Sequence, residues 1–256
     1  MKSALRIVQR NALVYRRVWR GSVFSSFLQP TLFLLAMGLG LGGLVDDSGT
    51  SMPGAVPFLH FLAPGLLAAA CMQTSAFESS WPVAGKMRWH RNYEAMMATP
   101  LGVRDLVLGE LLWVVARLVV VAAAFAFVMA MFGALRPAAS VPAVLAAVLT
   151  GVAFSTPIMA YAATIESNGN FNVLFRFVIT PLFLFSGVFV PITSLPGPLH
   201  VVAWLTPLFH GVELVRGLAL GTLDSPVWIV HVAYLVVMTL AGVFAAERTF
   251  RRRLET

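Results

Sequence analysis

The sequence predicts an all-α polytopic membrane protein with six transmembrane helices, and three observations support this fold class. The 256 residues are 59% hydrophobic with a mean hydropathy of +0.83. Only 11% of them are charged, whereas soluble domains carry about 25%, so a soluble helical core would lack polar residues for its outer surface. The basic residues also cluster at the ends of long apolar runs, which is how orientation in a bilayer is encoded.

Composition excludes several other classes of protein. In a soluble protein, a net charge of +7 would suggest binding to nucleic acid. Here the basic residues lie at the ends of apolar runs, so we expect no nucleic-acid partner. The single cysteine, Cys71, gives no disulfide framework. We expect no catalytic residues and no metal site, because the sequence has neither metal-ligand spacing nor a nucleophile-elbow motif. An intramembrane enzyme stays open as a minor alternative, on four ionisable residues near the predicted outer surface: His60, His200, His210 and Glu213.

Residues 1–20 are predicted to form an amphipathic interfacial helix on the cytoplasmic leaflet. On a helical wheel the six basic residues and Gln9 gather on one side, and Asn11 and Leu13 fall on the wrong face. The opposite, apolar side collects Ala4, Ile7, Val8, Ala12, Val14, Tyr15, Val18 and Trp19. A signal peptide is the weaker alternative, because the following apolar run is too long and shows no small-residue cleavage pattern.

Six apolar runs are predicted to cross the membrane, and the chain is expected to form a single domain over residues 1–256. The predicted spans are 23–44, 58–77, 106–132, 141–164, 171–190 and 227–246. Of the 18 lysines and arginines, 15 then lie on the side of the termini, including Arg91 and Arg176, which predicts that both termini are cytoplasmic. Arg136 and Arg216 fall on the other side, and Arg117 lies within a span.

The region 191–226 is predicted to lie on the outer side, before the last span. It holds Pro191, Pro196 and Pro198, and its second apolar segment is cut by Pro207. That segment cannot cross fully without inverting the orientation of the C-terminus. We therefore expect re-entrant helices, which are tolerated where protein or water surrounds the backbone.

The longest polar interval, 78–105, is predicted to be a cytoplasmic loop with a short helix in it. That helix covers residues 93–98 and is ended by Thr99 and Pro100. The sequence has no P-loop, because Gly85 and Lys86 lack the upstream glycine and the following hydroxyl residue. A chain without its own ATP-binding motif needs either an ATPase partner or an ion gradient.

An ordered set of motifs resembles the signature of ABC type-2 exporter permeases. It begins with the run 185–191 (Phe-Ser-Gly-Val-Phe-Val-Pro) and continues with Leu195-Pro196, Pro207, His210-Gly211, Arg216 and Gly221. The likeness is nearest to the branch of nodulation lipo-oligosaccharide export and daunorubicin-type resistance permeases. Stretches 30–43, 93–101 and 109–113 fit the same branch, so the resemblance covers most of the chain.

The resemblance implies a transmembrane permease subunit in a bacterial inner membrane, surrounded by membrane lipid. It would move an amphipathic substrate outward, such as a lipid-linked saccharide, a lipid or a drug. The family implies two copies of an ATP-binding-cassette ATPase subunit, with Mg-ATP on that partner and no cofactor on this chain. It also implies a second permease copy, as a homodimer or a paralogous heterodimer. A gradient-driven secondary transporter is the alternative, although no carboxylate lies near a span centre.

The same resemblance gives the cytoplasmic loop the role of coupling to the ATPase. The expected coupling residues are Glu94, Thr99, Pro100 and Arg104. The alternative is a solvated connecting loop whose charges only set topology.

Two further sets of charged residues are candidates for function. Arg117 is an intramembrane charge, with Glu110 and Glu78 as candidate partners, and a structural ion pair and a substrate contact both stay open. On the outer side, positions i, i+3 and i+6 predict a ladder of contacts from His210 to Glu213 and from Glu213 to Arg216. The ladder either lets a polar turn dip into the membrane or holds an outer gate shut. The gate residues are Pro191, Pro196, Pro207, His210, Glu213 and Arg216.

Overall fold

The computed structural model describes residues 2–47, 56–89, 92–166, 169–194, 196–223 and 226–255, and within them the chain is helical with no strand. Arg91 and Leu195, used above for orientation and for the family signature, lie outside the described residues. The helices are α1 (Lys2–Tyr15), α2 (Trp19–Asp47), α3 (Phe58–Ser79), α4 (Trp81–Arg88), α5 (Asn92–Met97), α6 (Val103–Met131), α7 (Ser140–Thr164), α8 (Gly169–Phe185), α9 (Gly197–Trp204), α10 (Pro207–Leu220) and α11 (Val227–Leu254).

The predicted class, an all-α polytopic membrane fold, is confirmed. In the described part of the chain, 5 helical segments are long and apolar enough to cross a membrane. They are α2, α3 continued by α4, α6, α7 with its preceding turn, and α11. The remaining candidate, α8, is shorter, about 25 Å at 1.5 Å per residue against a hydrocarbon core of about 30 Å. The predicted count of six spans is therefore not confirmed.

Helix α8 ends earlier than the predicted span 171–190. The helix stops at Phe185, and Gly187 adopts a φ of 79°, a left-handed conformation that suits a residue without Cβ. Its middle turn, Phe175–Ile179, is π-helical. Pro181 follows that turn and has no amide hydrogen to donate, which accounts for the widened hydrogen-bond pattern. The apolar run is thus longer than the helix it forms.

The N-terminal helix is also shorter than predicted, because α1 ends at Tyr15 and Trp19 already begins α2. Its buried residues Ala4 and Ile7 pack on α6 at Gly109. A Cβ atom at Gly109 would lie 2.8 Å from the Cβ of Ile7, so the glycine permits this close approach. One face of the amphipathic helix therefore packs on the bundle, and the other face is exposed.

Helices α3 and α7 are mostly buried, whereas α2 and α11 expose most of their apolar surface. The main core joins α3, α6, α7 and α10. A second apolar cluster lies where α1, α4, α5 and the last turns of α11 meet. We call this the basic end, because both basic termini belong to it, and we call the part formed by α9, α10 and the start of α11 the opposite end.

The region before the last span is broken as the prolines predict. Helix α9 ends at Trp204, and α10 begins at Pro207 after Thr206, whose hydroxyl accepts a hydrogen bond from the Phe209 amide at 3.4 Å. Helix α10 is about 21 Å long at 1.5 Å per residue, too short to cross a bilayer. That these helices re-enter the membrane stays a prediction.

Candidate functional site

Arg117 binds four elements together near the basic end. Its Nε lies 3.0 Å from Oε1 of Glu78 on α3, and its Nη2 donates to Ser22 on α2 at 2.8 Å. Its Nη1 donates to the Tyr15 hydroxyl on α1, and the guanidinium carbon lies 4.4 Å from the centre of that ring. A charge within an apolar helix is tolerated when it is paired in this way. Of the two predicted partners, Glu78 is the one in contact.

The other candidate partner, Glu110, forms a separate buried cluster. Only 2% of Glu110 is exposed, and its Oε2 accepts hydrogen bonds from Lys86 Nζ at 2.6 Å and from Asn11 Nδ2 at 3.1 Å. The helical wheel puts Asn11 on the apolar side of α1, and its polar side chain is tolerated in this buried position because it meets this carboxylate. Burial first, and then the negative charge of Glu110, raise the pKa of Tyr93, which is fully buried on α5. The cluster thus joins α1, α4 and α6, and the negative charge of Glu110 also acts on Tyr93 of α5.

The predicted coupling residues lie at the surface of the basic end. Glu94, Thr99 and Pro100 are exposed, and the Thr99 hydroxyl donates to the Met96 carbonyl at 2.6 Å, which closes the turn after α5. Arg104 is 77% exposed, and its Nε lies 3.4 Å from Oε1 of Glu247 on α11. The short predicted helix is present as α5, and its role in coupling stays a prediction.

The inner side of α5 is held firmly by the bundle. The Tyr93 ring packs on Phe250 of α11, with 5.6 Å between ring centres, and both side chains are fully buried. Helix α5 therefore has one anchored face and one exposed face, which suits it to transmit a force from a partner.

Arg216 anchors the opposite end. Its side chain is buried, and its Nη1 lies 2.9 Å from Oε1 of Glu213, which confirms the predicted contact on α10. Its Nη2 donates to the Gly187 carbonyl at 2.7 Å, and its Nε donates to the Phe61 carbonyl at 3.2 Å. The guanidinium carbon also lies 3.8 Å from the centre of the Phe61 ring. One arginine thus joins α10 to α3 and to the chain that follows α8.

The predicted contact between His210 and Glu213 is wrong. His210 Nδ1 lies 2.8 Å from Nδ1 of His231 on α11, and its Nε2 lies 2.9 Å from the Trp204 carbonyl. Because a carbonyl only accepts, Nε2 of His210 carries a hydrogen. His210 also stacks on Tyr234, with 4.0 Å between ring centres. Sequence reasoning missed His231, although an ionisable residue in the last apolar run was a signal that could have found it.

The gate prolines occupy helix boundaries. Pro196 precedes α9 and is exposed, Pro207 is the first residue of α10, and Pro191 is half-buried beside a cavity. That cavity, of about 610 Å³, is lined among others by Glu213, Arg216 and His231. Three of the six predicted gate residues, Pro191, Glu213 and Arg216, therefore line this cavity, while the role of the six as a gate stays a prediction.

A second cavity, of about 850 Å³, lies at the basic end between α1, α4 and α6. Arg117, Glu78 and Lys86 are on its wall. Across the described ranges, no group of three histidine, cysteine or carboxylate side chains is placed to hold a metal ion.

The architecture is that of a multi-pass helical membrane protein with paired internal charges and an exposed, anchored surface helix. The chain matches the family of ABC-2 type transporters over residues 3–220. It is 31% identical to nodulation protein J of Rhizobium leguminosarum bv. trifolii, an alignment that covers 96% of this chain and 92% of that protein.

Two further relatives agree with this assignment. Nodulation protein J of Rhizobium meliloti (strain 1021) is 29% identical over 96% of this chain and 92% of its own length. The inner membrane transport permease YadH of Escherichia coli (strain K12) is 24% identical over 89% of this chain and 86% of its own length. The chain therefore belongs to the ABC-2 type transporter family and is a membrane permease. The predicted resemblance is confirmed.

Proposed function

We propose that this chain is the membrane subunit of an ATP-driven exporter that moves an amphipathic substrate outward across a bacterial inner membrane. Separate ATPase subunits, two per complex, supply the energy from Mg-ATP, and a second permease copy completes the pathway. Both termini and the basic end face the cytoplasm. The family supports the ATP-driven mode of transport and weighs against a gradient-driven carrier.

The observation that carries this proposal is the two-sided placement of α5. Tyr93 fixes the helix to Phe250 on the last span, while Glu94, Thr99 and Pro100 face outward where a partner can reach them. A rigid helix with an exposed outer face transmits displacement into the bundle, whereas a solvated loop would absorb it. The surface of α5 and the adjoining turn is therefore the docking surface for the ATPase.

The test is a double substitution of Glu94 and Arg104 to alanine in the reconstituted complex. Both side chains are exposed at the basic end, so insertion and folding should be kept while ATP hydrolysis no longer drives export. ATPase activity and substrate accumulation in vesicles are measured together. Arg136→Ala, an exposed arginine beside Gly221 at the opposite end, is the matched control. Unchanged export by the double variant would remove the coupling role.

The exported compound can be identified in cells. A deletion strain that accumulates one amphipathic compound in the cell, compared with its parent, identifies the substrate. Export that persists without ATP but collapses with the proton gradient would instead favour a secondary transporter.

A further inference from the structure

The cavity at the basic end combines charge with exposed apolar surface. It has a volume of about 850 Å³, within the range of about 300–1,000 Å³ that small-molecule sites occupy. Among the residues that line it are three cations and three tryptophans: Arg10, Lys86, Arg117, Trp81, Trp89 and Trp113. Tryptophan side chains with an apolar body and a polar edge are typical of the level of lipid head groups.

The cations in this cavity are not equally available. Arg117 is neutralised by Glu78, and Lys86 is neutralised by the buried Glu110. Arg10 forms no ion pair in the part of the chain that the structure describes, and its one polar contact is a 3.4 Å hydrogen bond to the side chain of Asn11. The cavity therefore carries a net positive charge, which resides on Arg10.

The apolar part of the wall comes from residues that the bundle leaves uncovered. Val14 and Val18 were predicted on the apolar face of the N-terminal helix, yet they are 60% and 62% exposed. Both line the cavity, together with Phe77 and Trp89, which are 55% and 60% exposed. Exposed apolar surface beside an unpaired cation matches a ligand that has both an apolar chain and a negative head group.

We infer that this cavity binds a membrane amphiphile of the inner leaflet through an anionic head group placed against Arg10. This deepens the proposed function, on which it rests, by assigning a loading site and a charge class to the exported substrate. Asn92, the first residue of α5, also lines the cavity. The wall of this cavity therefore includes the first residue of the helix that is proposed to contact the ATPase.

Brominated lipids quench tryptophan by contact and so report occupancy directly. The full chain, with Trp19, Trp204 and Trp228 changed to Phe, keeps the three tryptophans of the cavity. It is placed in nanodiscs of phosphatidylcholine that contain increasing fractions of either brominated phosphatidylglycerol or brominated phosphatidylcholine. We expect the anionic lipid to quench at about fivefold lower concentration, the preference that one basic residue gives near a membrane.

Variants of the N-terminal segment 1–20 separate this site from general lipid contact. Arg10→Gln should abolish the preference for phosphatidylglycerol, and Arg10→Lys, which keeps the charge, should retain it. Arg17→Gln, an exposed arginine of the same segment that does not line the cavity, is the matched control and should behave as the parent. A parallel titration with all six tryptophans present should show the same Arg10 dependence if the triple background folds poorly.

Equal quenching by both lipids, or a preference that survives Arg10→Gln, would overturn the inference and leave only bulk lipid covering apolar residues. The measurement uses neither ATP nor an ATPase. Its failure therefore leaves ATP-driven export standing, whereas failure of the α5 substitutions to uncouple hydrolysis leaves the lipid site standing.

Discussion

The two ends of this molecule hold their buried charges in different ways. At the basic end, Glu110 and Lys86 pair through side chains that come from different helices. At the opposite end, Arg216 bonds to two backbone carbonyls as well as to Glu213. A charged side chain and its partner can both be removed by a double substitution, but no substitution removes a backbone carbonyl. The opposite end is therefore the less tolerant of substitution, and the basic end is the one where charges can be exchanged.

The largest effect is expected for Arg216→Leu. This change leaves the Phe61 and Gly187 carbonyls without their donor and Glu213 without its partner, and breaking a buried charged pair costs about 3–5 kcal/mol. Thermal unfolding of the purified permease measures it. Arg136→Leu, an exposed arginine at the same end, should have little effect. A destabilisation no greater than that of the control would contradict the anchoring role of Arg216.

A smaller effect that can be rescued is expected at Glu110. Glu110→Gln leaves Lys86 without its carboxylate, and a charged hydrogen bond contributes about 1.5–3 kcal/mol. Adding Lys86→Met should restore part of the stability, because it removes the ammonium group that Glu110→Gln leaves unpaired.

The double-mutant cycle of Glu110 and Lys86 is followed by denaturation in detergent. Strictly additive losses would mean that the two side chains do not interact, and the contrast between the two ends would then collapse.

The smallest effect is expected for His231→Phe. The substitution keeps an aromatic ring beside Trp204 and Phe209 but removes the 2.8 Å contact to His210, a neutral hydrogen bond that contributes about 1 kcal/mol. The midpoint of thermal unfolding should fall slightly, and less than for Arg216→Leu. His200→Phe, which changes another histidine of the same cavity, serves as the comparison.

The sequence predicted features that depend on neighbouring residues, such as helices and their breaks. It missed contacts that depend on how distant helices pack together. Prolines gave the break before α10, and apolar runs gave the long helices. The wheel put Asn11 among the apolar residues of α1, where it is buried, but it gave no reason for a polar side chain at that position. Its true partner, Glu110, is 99 positions away and had no pattern linking it to Asn11.

The pairing of ionisable side chains also depended on how the helices pack. Glu78 was one of two candidates for Arg117, and periodicity could not decide between them. The missed bond between His210 and His231 depends on the packing of α10 against α11. The length of α8 was overestimated because Phe171 to Val190 is mostly apolar, while the backbone at Gly187 turns away from helical geometry.

Helix α11 takes part in both ends. It is a single uninterrupted helix from Val227 to Leu254, about 42 Å long at 1.5 Å per residue. Near its start His231 meets His210, and near its end Phe250 meets Tyr93. Such a rod works as a lever. If a partner pushed on α5, the end of α11 that holds Phe250 would tilt. The end that holds His231 would then move against α10, without any hinge within the helix.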